Sequence, residues 1–217
     1  MSENQTANTR VQQEMIFRQA SINDVEAIAA LHTESWQRHY RGAYLDSFLD
    51  GDVLTDRLAI WHARLVTPSA AHFTIGAFQR DALVGFVYMI LDQDPHWGTL
   101  LDNLHVTYRL KRHGIGRRLL TEAARELVQR WPADRRFYLW VLVQNTAAQA
   151  FYAACRGFRV ETTLCGPFPG GEERSATVSP GRMLRCSCLH FRPRSMGQPE
   201  YSARAVIVVP AAARGPL

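Results

Sequence analysis

Lysine is almost absent from this chain: Lys111 is the only one, so arginine supplies nearly all of the basic charge. Cysteine is scarce as well, and four in 217 residues make no disulfide framework. No apolar run approaches the roughly 20 residues that a membrane-spanning helix needs. The stretch from Met1 to Glu14 is polar and lacks the apolar block of a signal peptide. These absences exclude membrane-spanning, fibrous and disulfide-stapled classes and point to a cytoplasmic protein. What is present suits a globular core, since 47% of residues are hydrophobic and 21% charged. The length fits one domain, or one domain with a tail.

The net charge of +5 invites a nucleic-acid reading. Its location argues otherwise. Arg109, Lys111, Arg112, Arg117 and Arg118 place five positive charges in ten residues with no acid among them, as many as the net charge of the whole chain. The positive field is therefore local, which suits a small polyanion better than a long duplex.

Residues 1–15 read as a polar N-terminal arm, and 16–189 as one domain. Ile16–Gln19 alternates as a first strand. Ser21 and Asp24 form a capping box that opens a helix, whose apolar positions Val25, Ile28, Ala29, Leu31 and Trp36 recur at helical spacing. Further helix is expected over Tyr44–Leu49 and Asp56–Leu65, stopped by Pro68. His72–Phe78 and Leu83–Leu91, joined at Gln79-Arg80-Asp81, read as a hairpin. Thr99–Thr107 is another strand, Ile115–Val128 a helix, Arg136–Val143 a strand after a turn at Pro132-Ala133-Asp134, and Asn145–Cys155 a helix closed by Gly157 at a C′ position. Phe158–Leu164 is a strand again. The order predicts an α/β sandwich around one mixed sheet. From about His190 the composition turns to Arg, Pro, Ser, Gly and Ala, so 190–217 reads as a poorly packed tail.

Chemistry concentrates between Leu104 and Leu120. A strand ends, a basic turn carries Gly114 and Gly116, and a long amphipathic helix begins. Free N–H groups at a helix start, with the positive end of its dipole, make an anion site. Glycines there let a phosphate approach the backbone, and flanking arginines add bidentate contacts. The turn is neither a P-loop, lacking Gly-Lys-Ser/Thr, nor the dinucleotide fingerprint, which fails at Leu119. A second unit runs from Asn145 through Phe151-Tyr152 to Gly157-Phe158. There Asn145 caps a helix, and Phe151 and Phe158 pack in the core.

Together the two units resemble one family. Lys111-x-x-Gly114-x-Gly116 is similar to the acetyl-CoA loop of the GNAT superfamily of N-acetyltransferases, whose pattern is Gln/Arg-x-x-Gly-x-Gly/Ala. Asn145…Ala148…Phe151-Tyr152…Gly157-Phe158 resembles the strand–helix motif that follows it in that family. The likeness covers about residues 16–185, and Arg18-Gln19-Ala20…Leu31-His32…Ser35-Trp36…Tyr40-Arg41-Gly42 resembles one bacterial branch. Lys111 departs from the usual arginine or glutamine, but the loop uses its backbone N–H.

The resemblance implies a mixed, mostly antiparallel sheet in which two central parallel strands splay apart, here those ending near Val106 and Val143. A bulge in the first would free backbone groups of Leu104, His105 and Val106 for the pantetheine arm of acetyl-CoA. Lys111, Arg112, His113, Gly114, Ile115, Gly116 and Arg117 would hold the pyrophosphate, with Asn145 and Tyr152 beside the pantetheine and thioester. The implied reaction is attack of a primary amine, on a small molecule or peptide, on the thioester. Tyr152 takes the place of the acid for the departing thiolate.

An ammonium is no nucleophile, so a proton acceptor is also needed. Asp102, near where many relatives carry glutamate, is favoured; His105 and a water chain stay open. On a regular strand Asp102 and His105 face opposite sides, so only one looks into the cleft unless a bulge turns the register. Trp36, Tyr40, Tyr44 and Trp61 are either core or the acceptor wall. The acceptor itself stays open among peptide amine, polyamine, aminoglycoside and amino acid. Cys186-Ser-Cys188-Leu-His190 lacks a second ligand pair, so no metal is expected. Two other readings are a basic nucleic-acid-binding protein and an acetyl-CoA-binding module without catalysis. The tail would suit a homodimer contact.

Overall fold

The computed structural model describes residues 15–42, 44–132, 136–165 and 202–210. Among these, seven strands form one sheet in the order β1-β2-β3-β4-β5-β7-β6. They are β1 Met15–Gln19, β2 His72–Gln79, β3 Ala82–Asp94, β4 Gly98–Val106, β5 Arg136–Leu142, β6 Phe158–Cys165 and β7 Ser202–Pro210. Only β4 and β5 pair in parallel; every other neighbour is antiparallel. The helices are α1 Val25–His39, α2 Asp46–Asp50, α3 Val53–Val66, α4 Ile115–Arg130 and α5 Thr146–Ala154.

Two apolar layers hold the sheet. On one face Ile28 and Ala29 of α1 and Trp61 of α3 meet Phe86, Tyr88, Leu100 and Tyr138. On the other, Leu119, Leu120, Ala123 and Leu127 of α4 cover Val87, Met89, Leu101, Phe137 and Leu139, with Tyr152 and Cys155 of α5 in the same cluster. The helical spacing read from the sequence is thus the spacing of the buried stripe. The β2–β3 hairpin turns through Arg80 and Asp81, with φ of 49° and 66°. Both are left-handed, as a tight turn matched to strand twist requires. At the entry to α1, Ser21 N–H donates to Asp24 Oδ2 at 2.7 Å, and Arg18 holds the same carboxylate at 2.8 and 2.9 Å.

The expectation of a poorly packed tail over 190–217 is corrected for residues 202–210. They form β7, which lies between β5 and β6 and pairs with both along its length. The run Val206–Val209 is β-branched throughout. Such a continuous apolar run is how a strand covered on both faces reads: Ile207 and Val209 enter the α4-side cluster and Val208 the other. The domain therefore extends past 189. The arm 1–14, the Ala133-Asp134 turn, the Cys186–His190 segment and the rest of the tail lie outside the described residues.

Gly157 also serves a different purpose from the C′ role expected of it. The left-handed C′ residue is Arg156, at φ 64°. Arg156 N–H donates to Ala153 O at 3.0 Å and Gly157 N–H to Tyr152 O at 2.8 Å, a Schellman end with glycine one position later. Glycine is required by close approach: a Cβ there would stand 2.8 Å from Ile207 Cγ2 and 2.9 Å from Tyr152 O.

If β7 is integral, Ile207→Ala should destabilise the fold by roughly 2–5 kcal/mol, as large-to-small changes in a core do. Urea unfolding reads this directly; an unchanged midpoint would place residues 202–210 outside the cooperative unit.

Candidate active site

β4 and β5 pair at Thr99↔Phe137 and Leu100↔Tyr138 and at no later position. Beyond that point the β4 edge facing β5 has no strand partner among the described residues. The other edge stays paired to β3, at Val87↔Leu104, Phe86↔His105 and Gly85↔Val106. The separation coincides with a bulge: Tyr88 pairs with Asn103 and Met89 with Leu101, leaving Asp102 as the extra residue.

That one residue inverts the alternation of the strand. Leu101 packs against the α4 side and Leu100 against the α1–α3 side. Past the bulge, Leu104 and Val106 pack on the α4 side, while the His105 ring meets Phe86 and His32 on the α1–α3 side. Asp102 reaches that side too, where Arg64 of α3 donates to its Oδ2 at 2.9 Å. Asp102 and His105 therefore share one face, and the bulge removes the either-or that regular alternation imposes.

Several polar partners of this face come from α1 and α3. Arg64 also donates to Asn103 Oδ1 at 3.2 Å, and its guanidinium lies 4.2 Å from the Tyr88 ring centre. His32 is 1% exposed, and its ring lies 4.7 Å from that of His105. Trp61 Nε1–H donates to His32 Nδ1 at 3.0 Å, which leaves the proton of a neutral imidazole on Nε2. Burial holds His32 well below its ordinary range and pushes His105 down to about 3, with neighbouring positive groups adding to both. Both rings are neutral at physiological pH.

The basic turn follows. Arg112 and Gly114 take φ of 66° and 81°, and a Cβ at Gly114 would meet nothing within 4 Å. The first backbone bond of α4 runs from Arg118 N–H to Gly114 O at 2.9 Å. The amides of Arg112 to Arg117 donate to no backbone carbonyl among the described residues. Six consecutive N–H groups at the positive end of a helix make a cradle for an anion. A Cβ at Gly116 would come within 3.3 Å of Phe151, so its glycine has a packing role beside any part in phosphate approach. It lets α4 and α5 close together. Of the flanking charges, Arg118 is drawn aside by Glu122 at 2.6 Å.

α5 begins beyond the divergent end of β5. Asn145 caps it as expected, its Oδ1 accepting Ala148 N–H at 3.1 Å. Tyr152 is buried, and desolvation, with Tyr40 and Cys155 nearby, raises its hydroxyl above the ordinary phenol range, so it carries its proton. Trp61 and Tyr44 are core residues, whereas Trp36 and Tyr40 are half-buried and stacked with ring centres 5.3 Å apart. No group of three or more potential metal ligands occurs among the described residues.

A parted parallel pair, a bulge at the parting and an amide cradle on the next helix are what the acetyl-CoA reading requires. Residues 26–158 match the model of the acetyltransferase (GNAT) family. The chain belongs to the GNAT family. It is similar to the spermidine N(1)-acetyltransferase of Thermoplasma acidophilum, at 26% identity over 150 residues, 68% of this chain and 89% of the relative. Among solved structures it resembles a GNAT acetyltransferase from Streptococcus pneumoniae, with TM-score 0.57 and 18% identity over 90% of this chain and 98% of that one. It also resembles the PaiA N-acetyltransferase of Thermoplasma acidophilum in complex with coenzyme A, with TM-score 0.54 and 17% identity over the same shares.

As a GNAT enzyme the chain is an acyltransferase with acetyl-CoA as co-substrate. The open Gly114 and the unsatisfied amides of Arg112 to Arg117 fit its pyrophosphate. The charges that first invited a nucleic-acid reading are those of this turn. Arg64 carries no local motif, and no sequence signal paired it with Asp102 and Asn103, nor Trp61, named only as a core or acceptor-wall aromatic, with His32. His32 appeared only within the resemblance to one bacterial branch.

The buried histidines set a pH dependence. Above 6.5 folded and unfolded chains are both neutral at these rings; below it the unfolded chain binds protons that the folded chain refuses. Stability should therefore fall as pH drops from 6.5 toward about 3, by up to about 1.4 kcal/mol per pH unit for each such histidine. Urea titrations at pH 7.5, 6 and 5 measure the slope, with His39 and His72 contributing in the same sense. Equal stability at all three would mean that neither ring is held neutral.

Proposed function

We propose that the enzyme acetylates the primary amine of a small polyamine-like molecule by direct attack on acetyl-CoA, with Tyr152 as general acid and His105 as the principal proton acceptor. The observation that carries this reading is the bulge at Asp102. It turns His105 toward the α1–α3 side at the point where the strands part, while α5 brings Tyr152 to the core beyond β5. Acceptor and donor then approach the gap from two sides, as direct transfer requires.

Asp102 takes the lesser role, since Arg64 already occupies its Oδ2 and its side chain is only 6% exposed. The neutral His105 imidazole, whose burial keeps its proton affinity low, takes the ammonium proton only in passing and relays it through water rather than holding it. Asp102 favours the imidazolium that results, because its negative charge raises the proton affinity of His105. Tyr152, holding its proton, delivers it to the thiolate. Leu104 to Val106 offer the pantetheine arm a strand edge, and Asn145 orients α5 beside it. The name of the Thermoplasma acidophilum relative favours spermidine as the first acceptor to try; the stacked Trp36 and Tyr40 supply an aromatic wall that attracts cations. A soluble amine and acetyl-CoA both fit a cytoplasmic reaction.

CoA release measured with spermidine, an aminoglycoside and a short peptide should show turnover with spermidine foremost. Tyr152→Phe should lower kcat by about a hundredfold or more, while the acetyl-CoA thermal shift persists. His105→Gln should cost more than Asp102→Asn. Unchanged turnover in Tyr152→Phe would refute the acid role, and the reverse order of the other two would return the base to Asp102. A thermal shift without turnover on any amine would favour a binding module.

A further inference from the structure

Arg64 holds two consecutive residues of β4 with a single guanidinium. Its Nη2 donates to Asp102 Oδ2 at 2.9 Å and its Nη1 to Asn103 Oδ1 at 3.2 Å. Neighbouring side chains of a regular strand point to opposite faces, so a planar fork reaching in from one layer meets only one of them. Here it meets both, because Asp102 is the extra residue of the bulge. The fork fits the bulged register and not the regular one.

The partner strand is held at the same point. Tyr88 is the β3 residue that pairs with Asn103, next to Met89, which pairs with Leu101 across the bulge. The Arg64 guanidinium lies 4.2 Å from the Tyr88 ring centre and 4.9 Å from that of Trp61. Tyr88 is fixed in turn, its hydroxyl 3.0 Å from Nδ1 of His72. Asn103 closes the arrangement: its Oδ1 accepts from Arg64 while its Nδ2 donates to the carbonyl of Asp102 at 2.7 Å. The residue that β3 leaves unmatched thus has its carboxylate answered by Arg64 and its carbonyl by the side chain that Arg64 holds. With the Arg64 and Asp102 side chains only 20% and 6% exposed, water competes little for these bonds.

We propose that Arg64 is a positioning residue: it clamps the Asp102 bulge and thereby aims His105 at the gap between β4 and β5. The proposal rests on the reading of His105 as proton acceptor. A one-residue slip in a strand carries the side chains beyond it to the other face. His105 lies just past the bulge, so a β4 without it would turn the ring away from Phe86 and His32 toward the α4 side. Arg64 acts on the reaction through Asp102 and Asn103.

Arg64→Lys keeps a charge for Asp102 without the planar fork, and Arg64→Ala leaves a space that a guanidinium ion fits. In the full chain, each is compared with the parent for turnover of spermidine with acetyl-CoA and for urea stability. NMR reads the nuclear Overhauser contact between the rings of His105 and Phe86, whose centres lie 5.2 Å apart. Expected in Arg64→Lys are a kcat about a hundredfold lower, loss of the ring contact and a urea midpoint near that of the parent. In Arg64→Ala, ethylguanidinium should restore turnover and contact where ethylammonium does not. A parent-like kcat and ring contact in Arg64→Lys would overturn the clamp. Turnover that falls only as far as the folded fraction, with the contact intact, would reduce Arg64 to a stabilising residue and overturn it as well. Loss of the contact with turnover intact would leave the clamp standing and overturn the proton-acceptor reading of His105 instead. The contact is read without any amine, so the choice of acceptor does not decide the test.

Discussion

After Thr99 and Leu100 have paired with Phe137 and Tyr138, β4 and β5 share no further ladder bond, and the placement of the groups proposed to react follows from that parting. A parallel pair kept in register to its end would satisfy its own amides and carbonyls and leave nothing for a ligand. Here β4 inserts Asp102, bends away from β5 and presents an edge with no strand partner among the described residues. The same inserted residue reverses which side chains face which layer, so the bulge frees backbone groups and selects His105 together. The flanking helices then finish the gap, α4 with its amides and α5 with Tyr152.

Holding such a gap open within a core requires polar groups to be answered from elsewhere. Arg64 reaches across from α3 to Asp102 and Asn103, and Trp61 answers His32. These contacts join residues far apart in sequence, and each satisfies a group that would be costly to bury alone. The imidazoles of His32 and His105 are kept neutral by the same burial that packs the aromatic layer around them. On the proposed mechanism, stability and proton transfer therefore draw on one set of contacts, which would tie the chemistry to the packing of α1 and α3 against the sheet.

Glycine and arginine divide the turn work in a way composition does not reveal. Gly114 has the left-handed backbone and open surroundings that a phosphate cradle uses, Gly157 is small because Ile207 and the Tyr152 carbonyl come too close for a Cβ, and Gly116 sits tight against Phe151. The left-handed positions at Arg80, Arg112 and Arg156 are carried by arginines. A glycine in a motif thus marks a spatial need, and only its neighbours tell which one.

Periodicity, turn chemistry and caps are local, so the residues alone determined the helices, the β2–β3 hairpin, the Asn145 cap and the anion-binding turn with its family resemblance. The tertiary structure decided what depends on distant partners. β7 lies far along the chain from β5, and nothing local to Val206–Val209 tells an apolar tail from a strand held between β5 and β6. The bulge at Asp102 is a mismatch between two strands, invisible in either one. Arg64, Trp61 and His32 gain their roles by reaching across from helices. Local preference is written in neighbouring residues, but the burial that sets a proton affinity and the register that aims a side chain exist only once the layers have closed.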